Sequence, residues 1–295
     1  MTRLRADALL LLTAIIWGTA FVAQKAANET MGPITFVGAR FLLSAIVVLP
    51  LAIREARVAP APITARDSWQ AGLIGLCLLI GSCLQQTALL TTTATNAGFL
   101  TALYVVLVPV TTWLLTRRRI GGTIVLACLV SIGGAWLLSA HSNTQGIAVG
   151  DVMLIVSDIA WAFGISLIAV FLTRTPRPMF LSCLQYAVTA ILGLAAALIF
   201  ETPDWAGIET ALLPLLYAGV ISGGIAFTLQ NVAQRHTPAP EAALIMSLES
   251  VFAAIAGAIV LNERLSAIAT VGCALILAGV LIAEIGPLFR RKSAL

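Results

Sequence analysis

Histidine is almost missing from this chain. His141 and His236 are the two that occur, and both fall in loops with no Cys, Asp or Glu clustered around them. That excludes HExxH-type zinc chemistry, and neither a metal site nor a cofactor is expected. No GxxxxGK[ST] stretch is present, so nothing in the chain is built to hydrolyse ATP. The five cysteines lie inside apolar runs without a CxxC pair and read as small packing residues. Charge is scarce too: 10% of residues are charged, against roughly 25% in a soluble domain. A folded aqueous domain is therefore excluded. An enzyme is not expected, because an intramembrane one would need a nucleophile with a base and both histidines sit outside the apolar runs. The pI near 9.0 does not point to nucleic acid, since the basic residues sit in short loops where they act as topology signals.

Apolar sequence is what fills the chain: 60% of residues are hydrophobic and the mean hydropathy is +1.01. Apolar segments occur at about 7–27, 33–53, 68–90, 95–115, 120–139, 149–172, 179–200, 210–233, 240–261 and 267–287. Each is near the ~20 residues that cross a bilayer as a helix. The first follows Arg3 and Arg5 as a signal peptide would, but its run from Ala8 to Ala23 is long and reads as a retained helix. Pro33 and Pro240 suit first helical turns. Pro109 lies inside the fourth segment and is expected to kink it. The fold class expected is an all-α polytopic membrane protein of ten transmembrane helices.

Residues 84–138 fall without a gap on residues 229–283 when the chain is slid by 145 positions. Gln85 meets Gln230, Arg119 meets Arg264, Cys128 meets Cys273 and Gly134 meets Gly279. Tyr104 and Glu249 are equivalent in the same register. The chain thus reads as two copies, 1–140 and 149–289, with a polar linker at 141–148 and a basic tail at 290–295. With the N-terminus in the cytoplasm, fourteen Arg and Lys fall on the inner side. Two, Lys25 and Arg264, fall outside, and Arg40 lies within the second segment. That places both termini inside, which requires an even number of spans. Five spans per copy is odd, so the second copy crosses in the opposite sense, an inverted repeat that can offer one site to each side in turn.

Several motifs resemble the drug/metabolite transporter superfamily, in its EamA-type branch. They are Ile16-Trp17-Gly18-Thr19-Ala20-Phe21, Ala160-Trp161-Ala162-Phe163, Asn96-Ala97-Gly98-Phe99-Leu100, and Leu261-Asn262-Glu263-Arg264-Leu265 followed by Gly272 and Ala278-Gly279-Val280. The first copy departs from the pattern at Arg117-Arg118-Arg119, which has no acid matching Glu263. The resemblance implies a secondary transporter in a bacterial plasma membrane. Within the branch the chain is similar to exporters of aromatic amino acids, with an uncoupled facilitator of other metabolites or drugs as the alternative. The partners expected are a small-molecule substrate and the bilayer, and a monomer is the expected state.

Polar groups inside a bilayer are costly, so each needs a partner or a task. Asp158 and Glu249, near the middle of the sixth and ninth segments, are the candidates for proton coupling; packing carboxyls are the plain alternative. Gln85, Gln86, Gln230 and Asn231 offer amides to a polar substrate or to neighbouring helices. Asn96 is either a cavity residue or a helix cap. Trp17, Phe21, Phe99, Tyr104, Trp161 and Tyr186 are candidate cavity aromatics. Arg40 is expected to approach the outer interface or pair with a buried acid. Trp69 and Trp205 read as interfacial anchors.

Overall fold

The computed structural model describes residues 1–59, 61–117, 121–140, 149–264 and 266–292. Arg118, Arg119, Leu265, the expected linker 141–148 and residues 293–295 lie outside the described residues, as do the side chains of 283–292. The order is α1 (Arg3–Ala27), α2 (Pro33–Val58), α3 (Ala65–Ala88), α4 (Ala94–Thr116), α5 (Gly122–Ala140), α6 (Val149–Arg174), α7 (Pro178–Phe200), α8 (Leu212–Ala233), α9 (Ala239–Val260) and α10 (Ala267–Lys292). A six-residue helix, Trp205–Thr210, precedes α8. No strand occurs among the described residues. Eight helices, all but α5 and α10, are long and apolar enough to cross a bilayer. α5 and α10 carry shorter apolar stretches, Gly122–Gly134 and Thr270–Gly279, and pack on each other.

The distribution of side chains is that of a membrane protein. Leu198, Ile199 and Phe200 are about three-quarters exposed (75%, 74% and 75%), whereas Gln86, Asn231, Ser82 and Ser157 are fully buried. Water would penalise that apolar rim, and a lipid solvent would not. Trp69 and Trp205 are both largely exposed.

Helix starts are chemically specified. Thr64 and Asp67 form a capping box at α3, with Asp67 N donating to Thr64 Oγ1 at 3.2 Å and Thr64 N to Asp67 Oδ2 at 3.0 Å. α2 and α7 both begin with proline and lie against each other. Glu201, just beyond α7, accepts from Ile34 N and Thr35 N at 2.8 Å each. Glu55, in α2, accepts from Met179 N at 3.1 Å and Phe180 N at 2.9 Å. Each helix thus supplies the carboxylate that closes the other's first turn, where the helix dipole also favours an anion. Ile34 and Met179 differ by 145 positions, as do Thr35 and Phe180. α5 and α10 show the same reciprocity. A Cβ on Gly134 would lie 2.6 Å from Gly272 O, and one on Gly279 would lie 2.8 Å from Ala127 O. Only glycine permits backbones that close.

Two helices are broken, and not at Pro109. α4 passes through Ala102 and Leu103, where Leu103 N bonds Leu100 O and Val105 N bonds Ala102 O, a tightened 3₁₀ turn. α9 does the same at Ser247 and Leu248, 145 positions on, with Leu248 N to Ile245 O and Ser250 N to Ser247 O. Pro109 sits inside the segment Tyr104–Thr116, where the helical assignment continues past it. Its missing N–H would have met Val105 O, and Cys128 Sγ takes that carbonyl at 3.4 Å. α8 is widened to a π-helix over Tyr217–Ala226.

Candidate functional site: a central aromatic cavity

Tyr104 and Glu249 are the first residues of the helical segments that resume after the two breaks. Both are buried, and both line one central cavity with an empty volume of about 440 Å³. The Tyr104 hydroxyl lies beside the Glu249 carboxyl without reaching hydrogen-bond geometry, so Tyr104 Oη and Glu249 Oε1 have no bonded partner.

Aromatic rings form the walls. Phe227 is the hub: Trp17 lies 4.4 Å from its centroid, Phe41 5.7 Å, and Trp161 5.9 Å in a stacked arrangement. Phe21 lines the cavity one turn along α1 from Trp17. The π-helix places Ser222 on the cavity wall. Its carbonyls are met from outside, Trp17 Nε1 donating to Ser222 O at 3.3 Å and Ser44 Oγ to Gly219 O at 2.7 Å. A π-turn inside an α-helix often marks a functional site for this reason.

The paired amides divide by position. Gln85 and Gln230, equivalent at offset 145, both line the cavity. Gln85 Nε2 donates to Thr101 Oγ1 at 3.2 Å, and Gln230 Nε2 to Gln234 Oε1 at 3.1 Å. Gln86 and Asn231 point away and tie helices together. Gln86 bonds Gln24 O and Asn28 Oδ1, and Asn231 bonds Ser182 Oγ.

Of the residues singled out from sequence, Trp17, Phe21, Gln85, Tyr104, Trp161, Gln230 and Glu249 line the cavity. Gln86, Asn96, Phe99, Asp158 and Tyr186 do not. Phe99 packs with Ala254 and Ile276. Tyr186 lies behind Phe227 and bonds Thr228 Oγ1 at 3.1 Å. Asn96 does not cap α4: Thr93 Oγ1 accepts from Asn96 N at 3.0 Å, because the side chain that precedes the first turn reaches the free amide. Asp158 is 1% exposed and neither carboxylate oxygen is hydrogen-bonded, yet it is an electrostatic neighbour of Glu249 and Tyr104. An acid or arginine at the centre of a membrane helix costs about 2.5–3.5 kcal/mol. Asp158 carries that cost with no bond to offset it.

Sequence reasoning missed Gln24, Ser222 and Phe227. Nothing in an unbroken apolar run marks Ser222 or Phe227, since widening to a π-helix leaves no composition signal. Arg40 is corrected on both counts. It is 3% exposed, so it does not reach an interface, and no carboxylate lies within ion-pair distance of it among the described residues. Phe36 and Phe41 keep it in the interior by covering the guanidinium.

An all-helical bundle with an apolar rim, a central cavity and carboxyl groups buried beside it defines a membrane transporter of small molecules. Comparison with known proteins gives the family. The model of the EamA-like transporter family matches this chain twice, over residues 4–140 and 148–284, and the chain belongs to that family. It is 32% identical over 283 residues to a protein of Archaeoglobus fulgidus named an uncharacterized transporter, covering 96% of this chain and 87% of that one. It is 25% identical to the uncharacterized transporter YwfM of Bacillus subtilis, covering 94% and 93%. A WAT1-related protein of Arabidopsis thaliana is 24% identical, covering 83% of this chain and 75% of the relative. One solved structure, titled only as the crystal structure of a protein, superposes with a TM-score of 0.76 at 20% identity. It covers 98% of this chain and 99% of that one, and shares the fold.

Proposed function

We propose that this protein is a secondary transporter of a bacterial inner membrane, exporting amino acids, aromatic ones in particular, or related small metabolites. It works by alternating access. In this reading ten helices cross the membrane as two inverted five-helix repeats, 1–140 and 149–289. Both termini are cytoplasmic and one monomer holds one pathway. The reading is carried by a single observation: two helices broken at positions 145 residues apart deliver Tyr104 and Glu249 to one aromatic-walled cavity. Discontinuous helices at the bundle centre are where many secondary transporters hold substrate and coupling ion. The rings suit a flat apolar side chain, Gln85 and Gln230 suit its polar groups, and Glu249 is the group that takes and gives the coupling proton. Asp158 stands behind it as a second carboxyl sharing the same field.

The test is movement of labelled phenylalanine, tyrosine and tryptophan in liposomes with and without an imposed pH gradient, for the wild type, Asp158→Asn and Glu249→Gln. Gradient-driven movement that Glu249→Gln abolishes is the expected result. Movement that ignores the gradient and survives both substitutions would make the protein a facilitator and return the acids to packing. No movement of any aromatic amino acid would remove the substrate assignment.

A further inference from the structure

Arg40 enters the cavity from the first third of α2 and is a buried cation without a counter-ion among the described residues. Its Nη1 donates to Gln24 Oε1 at 3.0 Å and its Nη2 to Ser82 Oγ at 3.3 Å; Nε has no partner. A guanidinium carries five N–H groups, so the two neutral acceptors leave most of its donors unspent. The Phe36 and Phe41 rings lie 5.8 and 4.7 Å from Cζ and hold the group in place. Cation–π contact steadies the charge but satisfies no N–H. The cavity therefore carries a fixed positive charge with free donors, set beside an aromatic wall.

Position along α1 gives this arrangement a direction. Gly18 abuts the backbone at Glu249, and Gln24, the partner of Arg40, lies six residues further on, ~9 Å along the helix axis. Phe21 lies between the two levels, and Trp17 lies at the Glu249 level, next to Gly18. A ligand with a flat apolar body and an anion at one end matches that order.

We propose that Arg40 is the receptor for a carboxylate on the transported molecule, so that the substrates are small aromatic acids and amino acids rather than amines, amides or esters. This rests on the reading of the central cavity as the substrate path and adds the chemical group that selects the cargo. Arginine is suited to the task because its planar fork matches a carboxylate with two parallel hydrogen bonds, which a lysine ammonium cannot do. Gln24 and Ser82 act as positioning residues that hold the fork while leaving donors free.

The experiment is calorimetric binding to the purified full-length protein of four probes that share a phenyl ring: phenylalanine, phenylalaninamide, 3-phenylpropionate and phenethylamine. The expected result is that the two acids bind at least tenfold more tightly than the amide and the amine. Arg40→Gln should erase that preference and Arg40→Lys restore part of it. Equal binding of acid and amide by the wild type would overturn the proposal without any variant having to fold. A preference that survives Arg40→Gln, in protein whose thermal melt matches the wild type, would overturn it as well, as would failure of both acids to bind. The two readings fail separately. Arg40-dependent binding of 3-phenylpropionate by a protein that moves no aromatic amino acid keeps the carboxylate receptor and sinks amino acid export. Amino acid movement with no discrimination between acid and amide does the reverse.

Discussion

The α2–α7 pair and the α4–α9 pair are built from equivalent segments of the two halves, yet they are fastened differently. α2 and α7 are tied at both ends, by Glu201 on the amides of Ile34 and Thr35 and by Glu55 on those of Met179 and Phe180. α4 and α9 are tied in this way at one end, where Glu263 accepts from Thr95 N at 3.2 Å and from Thr95 Oγ1. The position equivalent to Glu263 is Arg118, and the one equivalent to Thr95 is Pro240, which has no amide hydrogen to give. The other end of α9 is held instead to α1, through Arg3 with Glu241 and Asp7 with Thr237. The symmetric pair has the fastening of a scaffold. The asymmetric pair carries the helix breaks, Tyr104 and Glu249, and among the described residues it shows a cap of this kind at one end.

The largest expected effect comes from removing Glu249, the acid that the asymmetric pair brings to the cavity. Glu249→Gln is expected to lower gradient-driven flux at least tenfold, while Glu55→Gln leaves flux per folded molecule within about twofold; equal loss in both would erase the contrast. The next effect is on stability. Glu55→Ala and Glu201→Ala each remove a charged cap with two amide bonds and should each cost about 2 kcal/mol in reversible unfolding. The two losses should match, and a large mismatch would mean the reciprocity is not mechanical. A smaller, local effect is expected at the single tie. Glu263→Ala should speed amide hydrogen exchange at Thr95 roughly tenfold and leave Ile34 and Thr35 unchanged. Smallest is Cys128, whose thiol occupies the carbonyl freed by Pro109. Cys128→Ser should be near neutral and Cys128→Ala cost about 0.5 kcal/mol by thermal unfolding.

How far the sequence could be read follows from what each feature does to composition. Long apolar runs with proline at their starts announce helices, and the segments expected at 33–53, 149–172 and 179–200 lie within or almost within α2, α6 and α7. An ungapped offset of 145 places Tyr104 and Glu249 in equivalent positions, and the fold brings them to one cavity. Pro109 is legible as a proline inside a helix, but not the thiol of Cys128 in α5, which bonds the carbonyl that the missing N–H leaves free. The 3₁₀ turns at Ala102–Leu103 and Ser247–Leu248 contain no glycine or proline, so nothing local marks them. The amides were legible as polar groups but not as cavity or packing groups. Gln85 and Gln86 are neighbours in sequence, and the ~100° turn between successive helical residues sends one into the cavity and the other to α1. Arg40 was misjudged because an unpaired buried cation is a cost that local sequence gives no reason to expect.

The unequal fastening of the two pairs predicts that α4 and α9 move during transport while α2 and α7 hold. Pulsed electron–electron distance measurement addresses it, with spin-label pairs at Leu90 and Asn262, at Leu115 and His236, and across both ends of α2 and α7. With saturating aromatic amino acid under a pH gradient, the first two distances are predicted to change in opposite senses while those across α2 and α7 stay fixed. A bundle in which the two α4–α9 distances stay fixed, or in which both pairs of helices shift together, would contradict it.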